Sequence, residues 1–150
     1  MANDTSDLTL ICPNNDPEAY TILKIARKLG IDVMVSEQPH GGRLNREPAS
    51  AFENLKHRVA IVETLGPDIE EKLGHQGHEV IIIDNHQYIK DGYDRRHPLS
   101  SLEQFADLVG YKLSRLEKGI GIADRSYVYG LLKEGYPKQE IEEIFTYADS

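Results

Sequence analysis

The sequence predicts an α/β fold, a mostly parallel sheet with helices on both faces and a helical C-terminal third. Three observations predict it. Over residues 8–84, short apolar runs alternate with segments of helical periodicity, the pattern of strands joined by crossover helices. Each apolar run ends in a polar residue on its carboxyl side. After residue 86 the short apolar runs stop and only helical patterns remain.

The elements follow in order. "LTLIC", 8–12, is a short apolar strand. "PEAYTILKIARKLG", 17–30, carries apolar residues at helical spacing, with Pro17 in its first turn and Gly30 at its end. "IDVMVS", 31–36, is the next strand, and the two prolines and glycine pair of 37–50 read as a loop. A short helix around "AFENLK" precedes a third strand at 58–64; helix and turn at 66–77 lead to a fourth strand, "EVIIID", at 79–84. Then come a helix over "PLSSLEQFADLVGYKL" with Ser100 or Ser101 as N-cap, and a helical stretch over 114–135 interrupted by Gly119 and Gly121. The last is an amphipathic helix over 137–148 opened by Pro137.

One hundred and fifty residues, 39% hydrophobic and 28% charged, suffice for one domain with a real core, so a single domain over 1–150 is expected. No apolar run is long enough to span a bilayer, and the N-terminus lacks the basic and apolar regions of a secretory signal. The single cysteine, Cys12, forms no internal disulfide and suits a reducing compartment; the expectation is a soluble cytoplasmic protein. The formal charge of −8 disfavours a long nucleic acid as partner, which needs clustered Lys and Arg. A small anionic ligand remains compatible with local basic patches such as "KDGYDRRHP", 90–98, and with the loop "HGGR", 40–43.

Parallel strands would gather their polar ends along one edge: Cys12 with Asp16 and Glu18 after the first strand, Glu63 after the third, and Asp84, Asn85 and His86 after the fourth. Carboxylates crowded in one cleft repel one another unless a cation intervenes, and oxygen-rich donor sets favour magnesium or manganese. Taken one at a time, the same residues have plainer readings. Cys12 reads as a small buried hydrophobe, Asp16 as a helix N-cap, Glu18 as an acid favoured by a helix dipole, and Asp84 and His86 as partners of each other.

Together these residues resemble the N-terminal lobe of the DHH phosphoesterase superfamily. The family's first motif, His, three residues, Asp, one residue, Asp, is matched in spacing by Cys12, Asp16 and Glu18; its second, an Asp ending a strand and followed by Thr, by Glu63 in "IVET". Its Asp-His-His motif is matched by Asp84, Asn85 and His86 after a typical apolar strand, and its last Asp by Asp124 in "GIGIADRS". Only Asp16, Asp84, His86 and Asp124 keep the family residue. Cys12 and Asn85 stand where the family has metal-binding histidines.

The resemblance implies a phosphoesterase dependent on Mn2+ or Mg2+, acting on a small phosphodiester or phosphoanhydride, without the family's second substrate-binding lobe. Asp16, Glu18, Glu63 and Asp124 would hold metal. Cys12 would join them as a soft ligand if the ion were zinc. Asp84 would orient its neighbours and His86 would contact the phosphate as the catalytic pair, with Asn85, Arg95, Arg96 and His97 on the substrate. In particular, "DRRHPLSSLEQ" is expected to fold over the cleft and bring its basic residues to an anion at a helix N-terminus. The other reading keeps the fold without turnover, as a module binding a nucleotide, a protein partner or a second copy of itself.

Overall fold

The computed structural model describes residues 3–39 and 41–149. His40 of the "HGGR" loop lies outside the described residues. Four strands form one fully parallel sheet in the order β2-β1-β3-β4, with β1 at Leu8–Pro13, β2 at Asp32–Ser36, β3 at Arg58–Val62 and β4 at Glu79–Ile83. The apolar runs become strands because both faces are covered, so alternation is not required of them. Every residue of β1 is buried.

The crossover helices explain the covering. Helix α1 (Pro17–Lys28) links β1 to β2 in one direction across the sheet, and α2 (Pro67–His75) links β3 to β4 in the other. Right-handed crossovers running in opposite directions put their helices on opposite faces. On the α1 face lie also α3 (Ser101–Val109), α4 (Arg115–Lys133) and α5 (Lys138–Asp149), closing a core around Leu10, Ile22, Phe105, Ile122 and Ile144. The α2 face is thinner, a smaller core of Ile11, Val59, Ile61 and Leu73 closed by Leu44 from a short 3-10 turn. No helix of the described residues is long and apolar enough to cross a membrane.

Four local features depart from the sequence reading. The helix expected around "AFENLK" is a 3-10 turn at Ala49–Phe52, and another lies at Leu44–Arg46. Helix α3 stops at Val109 because Gly110 takes a left-handed conformation (φ 68°) there. A two-stranded hairpin, β5 (Gln87–Tyr88) with β6 (Tyr93–Asp94), follows His86. Finally, Gly119 and Gly121 do not interrupt α4. They sit inside it as buried close-approach points: a Cβ at Gly119 would collide with Ile144, and one at Gly121 would come within 2.7 Å of the Ser100 hydroxyl. The break in α4 is instead at Tyr127, whose backbone leaves the helix at φ 52°, ψ −152°.

Candidate functional site

The strand order reverses between β1 and β3, and the carboxyl ends of these two strands open the crevice where α/β sheets place ligands. From the β1 side, Asp16 caps α1 by accepting from the Ala19 amide (2.7 Å), and this fixes the first turn that carries Glu18. Glu18 is only 2% exposed. From the β3 side comes Glu63, with φ 48°, a left-handed conformation strained for a side chain with a Cβ. Its amide donates to the Ile83 carbonyl of β4 (2.9 Å), and its carboxylate accepts from the buried Ser101 hydroxyl (2.9 Å). From the helical third comes Asp124 on α4. Glu18, Glu63 and Asp124 can each present one oxygen so that the three lie within 4.8 Å of one another.

The electrostatics of these carboxyls are abnormal. Burial, then the charges of Asp124, Glu63 and Asp16, push the Glu18 carboxyl up from 4.5 to about 10. Burial also raises Glu63, partly opposed by His86 and the Ser101 hydrogen bond. One Glu18 oxygen accepts a long hydrogen bond from the Leu102 amide (3.4 Å), while the other, Oε1, is buried with no hydrogen-bond partner. A buried carboxylate oxygen left unpaired is costly. A divalent cation bound by the three carboxylates would remove both the orphaned oxygen and the mutual repulsion, so this donor set fits a hard cation.

Glu63 also belongs to a second group, with Asp84 and His86, again within 4.8 Å of one another. Here both Asp84 carboxylate oxygens are used. Asp84 Oδ1 accepts from the Asn85 amide (2.8 Å), the His86 amide (3.1 Å) and His86 Nδ1 (2.8 Å), and Oδ2 accepts from the Tyr88 hydroxyl (2.5 Å). The Asp84 hydrogen bond, reinforced by Glu63, lifts the His86 imidazole to about 9 against desolvation, so the ring is a cation at neutral pH. Gln104 clamps the strand end by donating to the Asp84 carbonyl (2.8 Å). Arg125, next to Asp124, pairs with Glu103 (2.7 Å), which is also the capping-box acid of α3.

Among the sequence-derived site residues, Glu18, Glu63, Asp84, His86 and Asp124 come together. Asp16 stands beside them as the α1 cap, near enough for its charge to raise Glu18 and Glu63. Cys12 does not join either group: its thiol is buried, donates to the Pro13 carbonyl (3.3 Å), and is held protonated by burial and by the surrounding carboxylates. Asn85 lends its amide N–H to Asp84, and its side chain makes no hydrogen bond among the described residues. Arg95, Arg96 and His97 are engaged elsewhere. Arg95 pairs with Glu70 of α2 (2.6 Å), Arg96 folds back on Asp94 two residues earlier (2.6 Å), and His97 Nδ1 accepts from the Leu99 amide (3.0 Å). The α3 N-terminus offered to an anion is closed by Ser100 and Glu103. Nearby carboxylates capture the two arginines.

Five neighbours of these acidic groups escaped the sequence reading: Ser101, Gln104, Tyr88, Glu103 and Arg125. The signal that could have found two of them is the "SSLEQ" run, in which Ser100 and Glu103 form the cap and leave Ser101 and Gln104 facing the strand ends. No protein-family model matches the chain, and no curated protein or solved structure matches it either.

Proposed function

We propose that the chain is a divergent DHH-like phosphoesterase, dependent on Mn2+ or Mg2+, that acts on a small phosphodiester or phosphoanhydride. The observation that carries this reading is Glu18: a carboxyl almost wholly buried, with an unpartnered oxygen, meeting Glu63 and Asp124 within 4.8 Å at the switch point of a parallel sheet. Glu18, Glu63 and Asp124 would hold the cation. When bound, a divalent cation supplies Lewis-acid polarisation of a phosphoryl oxygen.

The protein's own groups supply the rest. Ser101 fixes the Glu63 carboxylate and the Glu103–Arg125 pair steadies the turn of α4 beside Asp124. Asp84 holds His86 through Nδ1, so Nε2 of a half-exposed cationic ring is left to meet an anionic oxygen of the substrate. Since Cys12 and Asn85 stay out of the acidic groups, the arrangement favours one cation over the pair usual in this superfamily.

That same observation favours a second reading, a nucleotide- or partner-binding module without turnover. Calorimetric titration with Mn2+, followed by phosphodiester turnover in Mn2+, separates the two. Binding with turnover that is lost in Asp124→Asn supports the enzyme; binding without turnover leaves the module; no binding at millimolar Mn2+ rejects the cation site itself.

A further inference from the structure

Strand β4 stands last in the order β2-β1-β3-β4, so β3 is its one neighbour in the sheet. The Glu79 amide donates to the His57 carbonyl (3.0 Å), and the Ile83 carbonyl accepts from the Glu63 amide (2.9 Å). Glu79, Ile81 and Ile83 therefore turn their backbone groups toward β3. Strand residues alternate, so Val80 and Ile82 turn their N–H and C=O groups outward. Among the described residues these groups meet no hydrogen-bond partner. The run is bounded on both sides by the chain itself. The His78 amide donates to the Leu73 carbonyl (3.1 Å), and the Asp84 carbonyl accepts from Gln104 (2.8 Å). What is left free is symmetric about Ile81.

This edge also lacks the usual protections. Proteins guard an edge strand with Lys, Pro or a bulge, and residues 80–83, "VIII", hold none of these. All are apolar and β-branched, and Val80, Ile81 and Ile82 are only half-buried. Between the edge and α3 runs a groove of about 220 Å³ lined by Ile81, Ile83, Leu99 and Leu108, with His97 and Asp107.

We propose that the β4 edge is a docking surface for a second copy of this chain, paired antiparallel about a two-fold axis through Ile81, so that the two sheets become one. In that register Val80 stands opposite Ile82 of the second copy, and Ile82 opposite its Val80. Each pair exchanges both hydrogen bonds, so every backbone group left over on either copy is used. Ile81 meets its own counterpart as a non-hydrogen-bonded pair, the closer kind, beside the groove. The charges fit the same register. A chain of net charge −8 can pair with itself only if its acids stay apart, and Glu79 stands opposite an isoleucine, Ile83 of the second copy. The symmetry of the free groups favours the chain itself over a foreign strand as occupant. Antiparallel pairing sends the two acidic sites to opposite ends of the joined sheet, so the interface does not depend on the phosphoesterase reading.

Sedimentation equilibrium of the full chain is the first test. A reversible dimer is expected, with a dissociation constant between about 1 μM and 1 mM, the range of a small interface. Val80→Pro deletes an outward N–H, which an edge strand tolerates. It should leave the far-UV circular dichroism unchanged and weaken dimerisation by about 100-fold. The second test reads the register. Non-hydrogen-bonded antiparallel partners bring their Cα atoms to about 4.5 Å, within reach of a disulfide. Mild oxidation of Ile81→Cys should therefore give a covalent dimer, and Val80→Cys, which faces Ile82, should not. The native Cys12 is buried and stays out of this reaction. If Val80→Pro fails to fold, the cysteine pair decides alone. A chain that stays monomeric up to about 1 mM would overturn the proposal and leave the edge to a foreign strand. A dimer that survives Val80→Pro would move the contact elsewhere, to β2 or to the exposed Tyr127 and Tyr129 of α4, and sink it too. So would a dimer that crosslinks no better through Ile81→Cys than through Val80→Cys.

Discussion

Two carboxylate groups share Glu63 and differ in one respect. Around Asp84, every acceptor oxygen is met by an N–H or O–H from its own segment. Around Glu18, the helix brings the acid into the core and leaves one oxygen with nothing to accept from. Asp84 sits in a finished network that holds a strand end and a charged imidazole. Glu18 sits in an unfinished one, and an unfinished buried carboxylate is where the protein can still bind something. Similar residue types a few ångströms apart thus read as scaffold and as site.

The comparison breaks most sharply at Asp84. Asp84→Asn cannot accept from the Tyr88 hydroxyl through its NH2 group and removes the counter-charge of His86. A loss of about 3 kcal/mol in urea unfolding is expected, the scale for breaking a buried charged network. The His86 titration, followed by NMR, should fall from about 9. Glu18→Gln should do the reverse. It removes a proposed ligand yet should cost the metal-free fold little, because burial and the neighbouring acids already favour the neutral carboxyl. Mn2+ affinity by calorimetry should fall by about 100-fold or more, with the thermal unfolding midpoint in the absence of metal equal to or above that of the wild type. A Glu18→Gln protein that still binds Mn2+ would end the distinction.

A smaller effect sharpens the contrast from the third side. Asn85→His offers an imidazole beside the same carboxylates and should raise Mn2+ affinity by about tenfold. Unchanged affinity would mean that position 85 does not face the cation.

The smallest effect is in pH. Glu18 is raised from 4.5 to about 10 and His86 from 6.5 to about 9. For a group whose folded value lies above its unfolded one, stability is fully present below the unfolded value and drains away as pH rises to the folded value. Both groups therefore act in the same direction. The metal-free melting temperature should fall between pH 6.5 and 9 by scanning calorimetry. Mn2+, by favouring the ionised Glu18, should flatten the fall, and Glu18→Gln should keep only the part due to His86. A metal-free melting temperature that rises over this window would contradict the burial of Glu18.

How much of this was legible depends on range. The four strands and their polar ends were, because a buried parallel strand announces itself as an apolar run and its end as the first charge. Asp16 as a cap was equally local. Much of what failed depends on a neighbour distant in sequence. Gly119 and Gly121 read as breaks because glycine disfavours helices, but here they let α5 and Ser100 come close, a contact no window of sequence contains. Strands of two residues, as in the β5–β6 hairpin, carry no periodicity to detect. Arg95, Arg96 and His97 looked available because a linear reading does not show that Glu70 and Asp94 claim the two arginines.

The left-handed backbone at Glu63 has a consequence for how this chain would drift under selection. Glycine or asparagine would relax that conformation, and each would remove the carboxylate that both acidic groups share. A population screened for heat resistance alone should lose glutamate at position 63 early. One screened for retention of the ion should keep it, at the expense of a lower melting temperature. The residue found there after many rounds would report which of the two pressures had ruled.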